Sequence, residues 1–256
     1  MQSEGDGKVA LVVGGGTGMG YAAAQRLAGR GARLVLGGRR EQVLVDAQQR
    51  IRAAHAGASV EILAGDAGIE EQSQALVKAA IEHFGRLDIL VGAAGIYEAV
   101  DFADLDASSW RRTLTATLDA MAFPAIAAVR EMKKAGGGRI VLISSIDTIT
   151  SEPEVAHYNA AKAAVGALVR SIVVDCTKDG IQANAVAPGW VYTPMVASYI
   201  DEAQPGMMDR INPLGRAADA DEIGNVIEYL ALDSPPFLTG STIFVDGGQT
   251  IRAAMP

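Results

Sequence analysis

The stretch GGGTGMG, residues 14–20, lies between a short apolar run, Val9–Val13, and an alanine-rich segment over residues 19–30. Its glycines at 14, 18 and 20 give the spacing G-x-x-x-G-x-G. Because glycine has no Cβ, the chain can turn tightly and its backbone amides can approach a pyrophosphate. The free N–H groups and the dipole of the following helix favour the same anion. This strand–turn–helix context predicts a nucleotide site, and the alternative is a glycine-rich turn that binds nothing.

Strands and helices alternate outward from this turn. The predicted strands span residues 9–13, 33–36, 59–63, 88–91, 139–143, 181–186 and 242–245. The predicted helices span residues 19–30, 41–56, 70–84, 108–134, 155–178 and 219–232, and residues 188–215 are irregular. Near-continuous apolar strands, each followed by a helix, are typical of a parallel sheet that is covered on both faces. We therefore predict an α/β, Rossmann-like doubly wound fold with a seven-stranded, mainly parallel sheet, in one dinucleotide-binding and catalytic domain over residues 1–256.

Composition excludes several classes of protein. The 256 residues are 49% apolar and 20% charged, which is typical of a folded globular chain. The formal net charge of −8 argues against a nucleic-acid partner, and the longest apolar run, residues 120–129, is too short for a membrane span. A single cysteine, Cys176, excludes an internal disulfide and a cysteine-based zinc site. We expect a cytoplasmic protein without a metal site.

The end of the second strand indicates which nucleotide binds. NAD sites usually place Asp or Glu there, to hold the ribose 2′-hydroxyl. Residues 31–40 contain no carboxylate, and Arg39 and Arg40 stand where a 2′-phosphate would lie. A guanidinium group suits phosphate, whereas the start of a helix disfavours positive charge. The sequence therefore favours NADP(H) over NAD(H), and the alternatives are an NAD site or a solvated basic pair.

A serine, a tyrosine and a lysine follow in and after the fifth strand. Ser145 closes the strand, and Tyr158 and Lys162 are four residues apart in the next helix, which puts both on one face. A nearby ammonium favours phenolate, so we expect a lowered pKa for Tyr158. Tyr158 could then exchange a proton with a secondary alcohol or ketone, while Ser145 hydrogen-bonds the reacting oxygen. Taken alone, a Tyr-x-x-x-Lys pair is more often a chance pair on a helix.

Together with further motifs, these residues make residues 8–248 resemble the short-chain dehydrogenase/reductase family. The matching motifs are the glycines at 14, 18 and 20, Asp66, LDILV at 87–91, Ser145 with YNAAK at 158–162, residues 184–189 with Thr193, and TG at 239–240 with VDGG at 245–248. The resemblance implies NAD(P)-dependent oxidation of alcohols or reduction of ketones, with a small-molecule substrate. It also implies a homotetramer, with the last helices and the last strand in the interface.

The resemblance further implies which residues bind the cofactor. It places Asp66 near the adenine, Lys162 on the nicotinamide ribose, and the segment 188–193 against the nicotinamide amide. The expected cofactor-binding residues are Gly14, Thr17, Gly18, Met19, Gly20, Arg39, Arg40, Asp66, Ala67, Ala94, Gly95, Tyr158, Lys162, Pro188, Gly189, Val191 and Thr193. The expected catalytic residues are Ser145, Tyr158, Lys162 and Thr117.

The sequence departs from the family pattern in three places. Val13 stands where threonine usually precedes the first glycine, and the fourth strand ends GAAG at 92–95 instead of Asn-Asn-Ala-Gly. Thr117, seven residues after Trp110, replaces an asparagine that holds a water in the proton relay to the lysine. These departures leave open a non-catalytic nucleotide-binding regulator or scaffold. A nucleotide-sugar dehydratase or epimerase usually needs a longer C-terminal domain than the eleven residues that follow Val245.

Features near the predicted mouth of the site bear on the substrate. The segment 190–215 predicts a lid over an apolar, bulky substrate, and the alternative is a methionine-rich interface patch. Its aromatic and methionine residues are Trp190, Tyr192, Met195, Met207 and Met208. Three acidic residues, Asp147, Glu152 and Glu154, are expected to disfavour anionic substrates. His157 points away from the tyrosine on the helix and is expected at the surface or in an interface.

Overall fold

The strands of residues 4–251, which the computed structural model describes, form one large parallel sheet and one small pair. The strands are β1 (Val9–Val13), β2 (Arg33–Gly38), β3 (Val60–Ala64), β4 (Ile89–Gly92), β5 (Gly138–Ile143), β6 (Ile181–Pro188), β7 (Val191–Tyr192), β8 (Ala218–Asp219) and β9 (Thr242–Val245). The large sheet has seven strands in the order β3-β2-β1-β4-β5-β6-β9, and β7 pairs with β8. All pairings are parallel, so the predicted seven-stranded doubly wound sheet is confirmed.

Helices cover both faces of the large sheet. They are α1 (Gly18–Gly29), α2 (Glu41–Ala54), α3 (Glu70–Phe84), α4 (Ala107–Leu114), α5 (Ala120–Ala135), α6 (Ala156–Cys176), α7 (Ala197–Asp201), α8 (Met207–Ile211) and α9 (Ala220–Glu228). Side chains of α3, α5 and α6 form one apolar layer, and those of α1, α2 and α9 form the other. Strand β1 contributes side chains to both layers, because successive side chains of a strand point to opposite faces. Leu11 and Val13 belong to the first layer, and Ala10 and Val12 to the second.

The sequence predicts a long helical region over residues 108–134, and the structure divides this region into three parts. Asp106 caps α4, because its carboxylate accepts a hydrogen bond from the Ser109 amide at 2.7 Å. One turn of π-helix, Thr115–Asp119, separates α4 from α5. The segment 188–215, predicted as irregular, contains β7, α7 and α8.

The topology places the site at one edge of the sheet. Strand order reverses on either side of β1, whose neighbours are β2 and β4. At such a switch point the loops after neighbouring strands separate and leave a crevice beyond their carboxyl ends. The glycine turn, the GAAG segment and Ser145 all follow strands that end at this edge. Within residues 4–251 every helix is too short or too polar to cross a lipid bilayer.

Candidate active site

The glycine turn has a shape that larger residues would not allow. Gly14 and Gly18 have φ angles of +78° and +54°, in the region that favours glycine. A Cβ on Gly14 would lie 2.8 Å from the backbone of Ala93 and Ala94, and one on Gly20 would collide with the carbonyl oxygen of Gly14. The turn therefore packs closely on the segment after β4 and leaves a cleft above the start of α1. Thr17, Gly18 and Met19 line this cleft.

The far end of the cleft carries the two arginines. Arg39 and Arg40 are exposed and line it, and α2 starts directly after them. Neither arginine has an ion-pair partner within residues 4–251. On the opposite wall, Asp66 and Ala67 follow β3, and the Asp66 carboxylate accepts a hydrogen bond from the Gly68 amide at 2.9 Å. An open glycine cradle that ends at two unneutralised guanidinium groups fits the phosphates of a dinucleotide.

A second cavity adjoins the cleft and contains the serine, the tyrosine and the lysine. Ser145, Tyr158 and Lys162 all line it. The ammonium of Lys162 is buried, donates to the carbonyl oxygen of Ile143 at 2.8 Å, and lies 5.5 Å from the centroid of the Tyr158 ring. The one-turn spacing on α6 thus brings tyrosine and lysine together, as the sequence predicts. In this arrangement the tyrosine, the serine and the lysine line one cavity.

The segment after β6 closes the side that the two cavities share. Pro188, Gly189, Trp190, Val191 and Thr193 line the catalytic cavity. Thr193 and Met195 also line the cleft, as do Ala94 and Gly95 on the opposite wall. A ligand that extends from the arginines along the glycine turn would therefore reach the tyrosine. Within residues 4–251 no cluster of side chains is suited to hold a metal ion.

Known proteins share this arrangement over nearly the whole chain. Residues 14–250 match the family model described as enoyl-(acyl carrier protein) reductase. The chain is 38% identical over 245 residues to a cis-4-hydroxycyclohexanecarboxylate dehydrogenase of Sinomonas cyclohexanicum, which covers 95% of this chain and 96% of that protein. It is 33% identical over 250 residues to an NADP-dependent (R)-specific alcohol dehydrogenase of Lentilactobacillus kefiri, with 96% and 98% covered.

Solved structures agree with these relatives. The structure of a short-chain type dehydrogenase/reductase from Mycobacterium ulcerans matches with a TM-score of 0.93 at 30% identity, over 97% of this chain and 92% of that chain. The chain belongs to the short-chain dehydrogenase/reductase family. It is therefore an enzyme of this oxidoreductase class, whose members use NAD(P) nucleotides, and its relatives are dehydrogenases that act on alcohols.

Burial controls the ionisation of the tyrosine and the lysine in this short-chain dehydrogenase/reductase. It raises the pKa of Tyr158 above its usual value, and the negative charges of Asp147 and Glu152 raise it further. Burial also lowers the pKa of Lys162 to about 8, against the opposing effect of Asp147. The sequence-based expectation of a lowered tyrosine pKa is wrong for this structure. The reason is that loss of hydration and the two carboxylates outweigh the hydrogen bond with Ser145, which acts in the opposite direction, while the Lys162 ammonium is directed at the Ile143 carbonyl.

Two acidic side chains form part of the cavity wall. Ser145 Oγ donates to Asp147 Oδ2 at 2.9 Å, and the Tyr97 hydroxyl donates to Glu152 Oε2 at 2.8 Å. Burial raises the pKa of both carboxyl groups. Glu154, expected in the same place, is exposed and does not line the cavity.

Thr117 reaches the same region from the π-helical turn. Its side chain is buried, and its hydroxyl accepts a hydrogen bond from the Ile96 amide at 3.4 Å. A Cβ placed on Gly95 would lie 3.7 Å from Thr117 Oγ1 and 3.9 Å from Lys162 Nζ. The threonine hydroxyl and the lysine ammonium therefore border the same space over Gly95.

Some residues differ from the sequence-based expectations. His157 is fully buried, with 0% of its surface exposed, so its expected surface position is wrong. The sequence analysis missed Tyr97, whose ring packs edge-on against Tyr158 at 5.2 Å and against Tyr199 at 5.7 Å. The signal that was available is its place, two residues after Gly95 at the carboxyl end of a parallel strand, where ligands bind.

Proposed function

We propose that the protein is an NADP(H)-dependent oxidoreductase of the carbonyl reductase type, which interconverts a ketone and a secondary alcohol. The observation that carries this proposal is the convergence of Ser145, Tyr158 and Lys162 in one cavity that adjoins the glycine cleft. Tyr158 can donate a proton, Ser145 can orient the reacting oxygen, and Lys162 supplies a positive charge. Such a set beside a dinucleotide cleft suits hydride transfer that is coupled to proton transfer.

Each of the three residues has a role in this proposal. The nicotinamide cofactor, when bound, supplies the hydride that the carbonyl carbon accepts. Tyr158 gives its phenolic proton to the carbonyl oxygen, and its raised pKa keeps that proton in place at neutral pH. The Ser145 hydroxyl, which donates to Asp147 in this structure, turns to donate to the same oxygen when substrate binds. Lys162 holds the cofactor ribose and faces the tyrosine. Thr117 supports the proton relay through the space over Gly95.

The preference for NADP(H) rests on the two arginines. Arg39 and Arg40 line the cleft without a carboxylate partner among the described residues. A 2′-phosphate would neutralise them, whereas a ribose 2′-hydroxyl would leave both uncompensated. The Lentilactobacillus relative, an NADP-dependent alcohol dehydrogenase, supports this choice. The expected cofactor contacts of the glycine turn, Asp66 and the 188–193 segment belong to the same proposal.

The domain organisation, the lid, the location in the cell and the oligomeric state are also proposals. We propose one domain over residues 1–256, a lid formed by segment 190–215, a cytoplasmic setting and a homotetramer. The rival reading, a non-catalytic regulator or scaffold, draws on the departures at Gly92, Ala93 and Thr117. The cavity opposes it, because it retains Ser145, Tyr158 and Lys162 in contact with one space.

Replacement of Tyr158 by phenylalanine tests the function. Tyr158→Phe removes only the hydroxyl, so the fold should persist while kcat falls by about 10²-fold or more in a panel of ketones with NADPH. Tyr229→Phe removes the same hydroxyl from an exposed tyrosine that does not line the cavity, and it is the control. Near-normal turnover of Tyr158→Phe would remove the tyrosine from the mechanism. No turnover of any ketone by the wild-type protein, despite NADPH binding, would favour the regulator.

A further inference from the structure

The substrate cavity contains an excess of negative charge. Among the described residues that line it, the charged side chains are Asp147, Glu152 and Lys162. Asp147 is 5% exposed and Glu152 is partly buried. The one cation of this set, Lys162, is directed at the Ile143 carbonyl and not at either carboxylate.

Lys162 offsets part of the charge of Asp147 through space, and the hydrogen bonds of the two carboxylates add no further positive charge. Asp147 accepts from the hydroxyls of Ser145 at 2.9 Å and Thr150 at 3.4 Å. Glu152 accepts from the hydroxyl of Tyr97 at 2.8 Å. These donors are neutral, and no arginine or lysine within residues 4–251 forms an ion pair with either carboxylate. Buried carboxylates are costly unless they are paired, so the wall is suited to a cation that arrives with the substrate.

We propose that the substrate is a secondary alcohol, or the corresponding ketone, that carries a protonated amine beside the reacting carbon, and that Asp147 and Glu152 accept its N–H groups. This inference rests on the proposed function and names the substrate class of the same site. Asp147 accepts a hydrogen bond from Ser145, which faces the reacting oxygen in the proposed function. An amine that contacts Asp147 would therefore lie one or two carbons from the carbinol carbon. The substrate is thus an amino alcohol or an amino ketone.

Other substituents fit the wall less well. A carboxylate, such as the one in the name of the Sinomonas relative's substrate, would meet two like charges in a buried space. A neutral hydroxyl would hydrogen-bond the carboxylates but leave their charge unneutralised. An ammonium group does both, and its charge-assisted hydrogen bonds are about twice as strong as neutral ones.

Four alcohols with one skeleton distinguish these cases. They are 2-amino-1-phenylethanol, 1-phenylethanol, 1-phenyl-1,2-ethanediol and mandelate, and each is oxidised with NADP⁺ while NADPH formation is followed. We expect kcat/KM for the amino alcohol to exceed that for 1-phenylethanol by about tenfold or more, and mandelate to be the poorest. A diol that equals the amino alcohol, or mandelate above 1-phenylethanol, overturns the proposal.

Variants that remove one negative charge test whether the two carboxylates cause the preference for the amino alcohol. Glu152→Gln and Asp147→Asn should each lower the ratio of kcat/KM between the amino alcohol and 1-phenylethanol by about fivefold or more. Glu154→Gln changes an exposed carboxylate two residues from Glu152 and should leave this ratio unchanged. An unchanged ratio in both cavity variants overturns the proposal even where the wild-type protein prefers the amine.

The proposed function and this inference fail in different ways. Oxidation of 1-phenylethanol without any preference for the amine keeps the function and removes the inference. Cofactor fluorescence shows whether the protein binds NADPH. If it binds NADPH but oxidises none of the four alcohols, the proposed function is contradicted and the inference fails with it. A preference for the amine that Glu152→Gln and Asp147→Asn reduce supports both.

Discussion

Lys162 shows how burial sets the properties of a single residue in this protein. Its side chain is 4% exposed, and burial lowers its pKa from 10.5 to about 8. This difference corresponds to roughly 3 kcal/mol of destabilisation at neutral pH, because the folded state must hold the ammonium away from water. An apolar residue in its place would lose the hydrogen bond to Ile143, which contributes about 1 kcal/mol. The residue is thus retained for its place beside Tyr158, at the expense of stability.

Lys162→Met should therefore stabilise the protein at pH 7, by about 2 kcal/mol in the free energy of unfolding. Because the folded-state pKa lies below the unfolded one, the wild-type cost is complete below pH 8. It disappears as the pH rises toward the unfolded value of 10.5, so the difference between the two proteins should narrow there. Urea unfolding of both proteins at pH 7 and pH 10 measures this.

The exposed Lys178→Met is the matched control and should change little at either pH. A Lys162→Met protein that is less stable than the wild type at pH 7 would contradict the burial argument.

Arg39 carries the cofactor prediction at the same scale. Arg39→Ala should weaken NADPH binding by about tenfold or more and leave NADH binding little changed, because only NADPH presents the 2′-phosphate. Titration of both cofactors against both proteins decides, with the exposed Arg130→Ala as the control. If the ratio of NADPH to NADH affinity stays the same in Arg39→Ala, Arg39 does not contact the phosphate.

At the scale of elements, the π-helical turn Thr115–Asp119 is the main departure from the sequence pattern. The sequence predicts one long helical region through residues 108–134, and the structure interrupts it at this turn. A π-turn adds one residue to a helical turn and often occurs at functional sites. Here it carries Thr117, buried, beside the space over Gly95 that Lys162 also borders. A water in that space could bridge the two side chains.

Thr117→Asn tests this element. The longer amide would replace the bridging water or its contact, so turnover should hold steady or rise, and the dissociation constant of NADPH should stay unchanged within error. Steady-state kinetics and a cofactor titration supply the two measurements. A large fall in turnover with an intact fold would show that the site is built around threonine. In that case the family's asparagine relay is the wrong description.

At the scale of the whole molecule, the β9 edge of the sheet offers a surface for association. Within residues 4–251 strand β9 pairs with β6 alone, and Phe244 on it is partly exposed. Phe237, Ile251 and Val174 are also exposed, at 100%, 87% and 82%. Exposed strand edges and exposed apolar side chains are typical of surfaces that meet another chain. These features agree with the proposed homotetramer, in which the last helices and strand lie in the interface.

Light scattering should give a mass about four times the 26.6 kDa of the chain. Phe244→Lys places a charge on the β9 edge and should lower that mass, because a buried unpaired charge opposes association. Phe102→Lys adds the same charge at an exposed phenylalanine in the loop before α4 and should leave the mass unchanged. A monomeric wild-type protein would contradict the tetramer.

Local sequence patterns were sufficient for most of the fold. The bounds of β1, α3 and β9 follow the prediction residue for residue, because apolar runs between glycines specify strands and helical periodicity specifies α3. The sequence also predicted the glycine turn and the shared helical face of Tyr158 and Lys162, because their geometry is fixed within a turn or within one helix. The role of Ser145 was inferred from its place at the end of the fifth strand, thirteen residues before Tyr158, and the family resemblance agreed with it.

Tertiary structure decided what depends on distant parts of the chain. Sequence alone determined that tyrosine and lysine share a helical face, but the direction of their pKa shifts comes from burial, which the other elements create. The contact of Tyr97 with Glu152 arises only when the loops after β4 and β5 meet at the same edge of the sheet, whereas that of Ser145 with Asp147 is local to the turn after β5. Hydration and Coulomb interactions depend on distances in space, and the sequence fixes such distances only within an element.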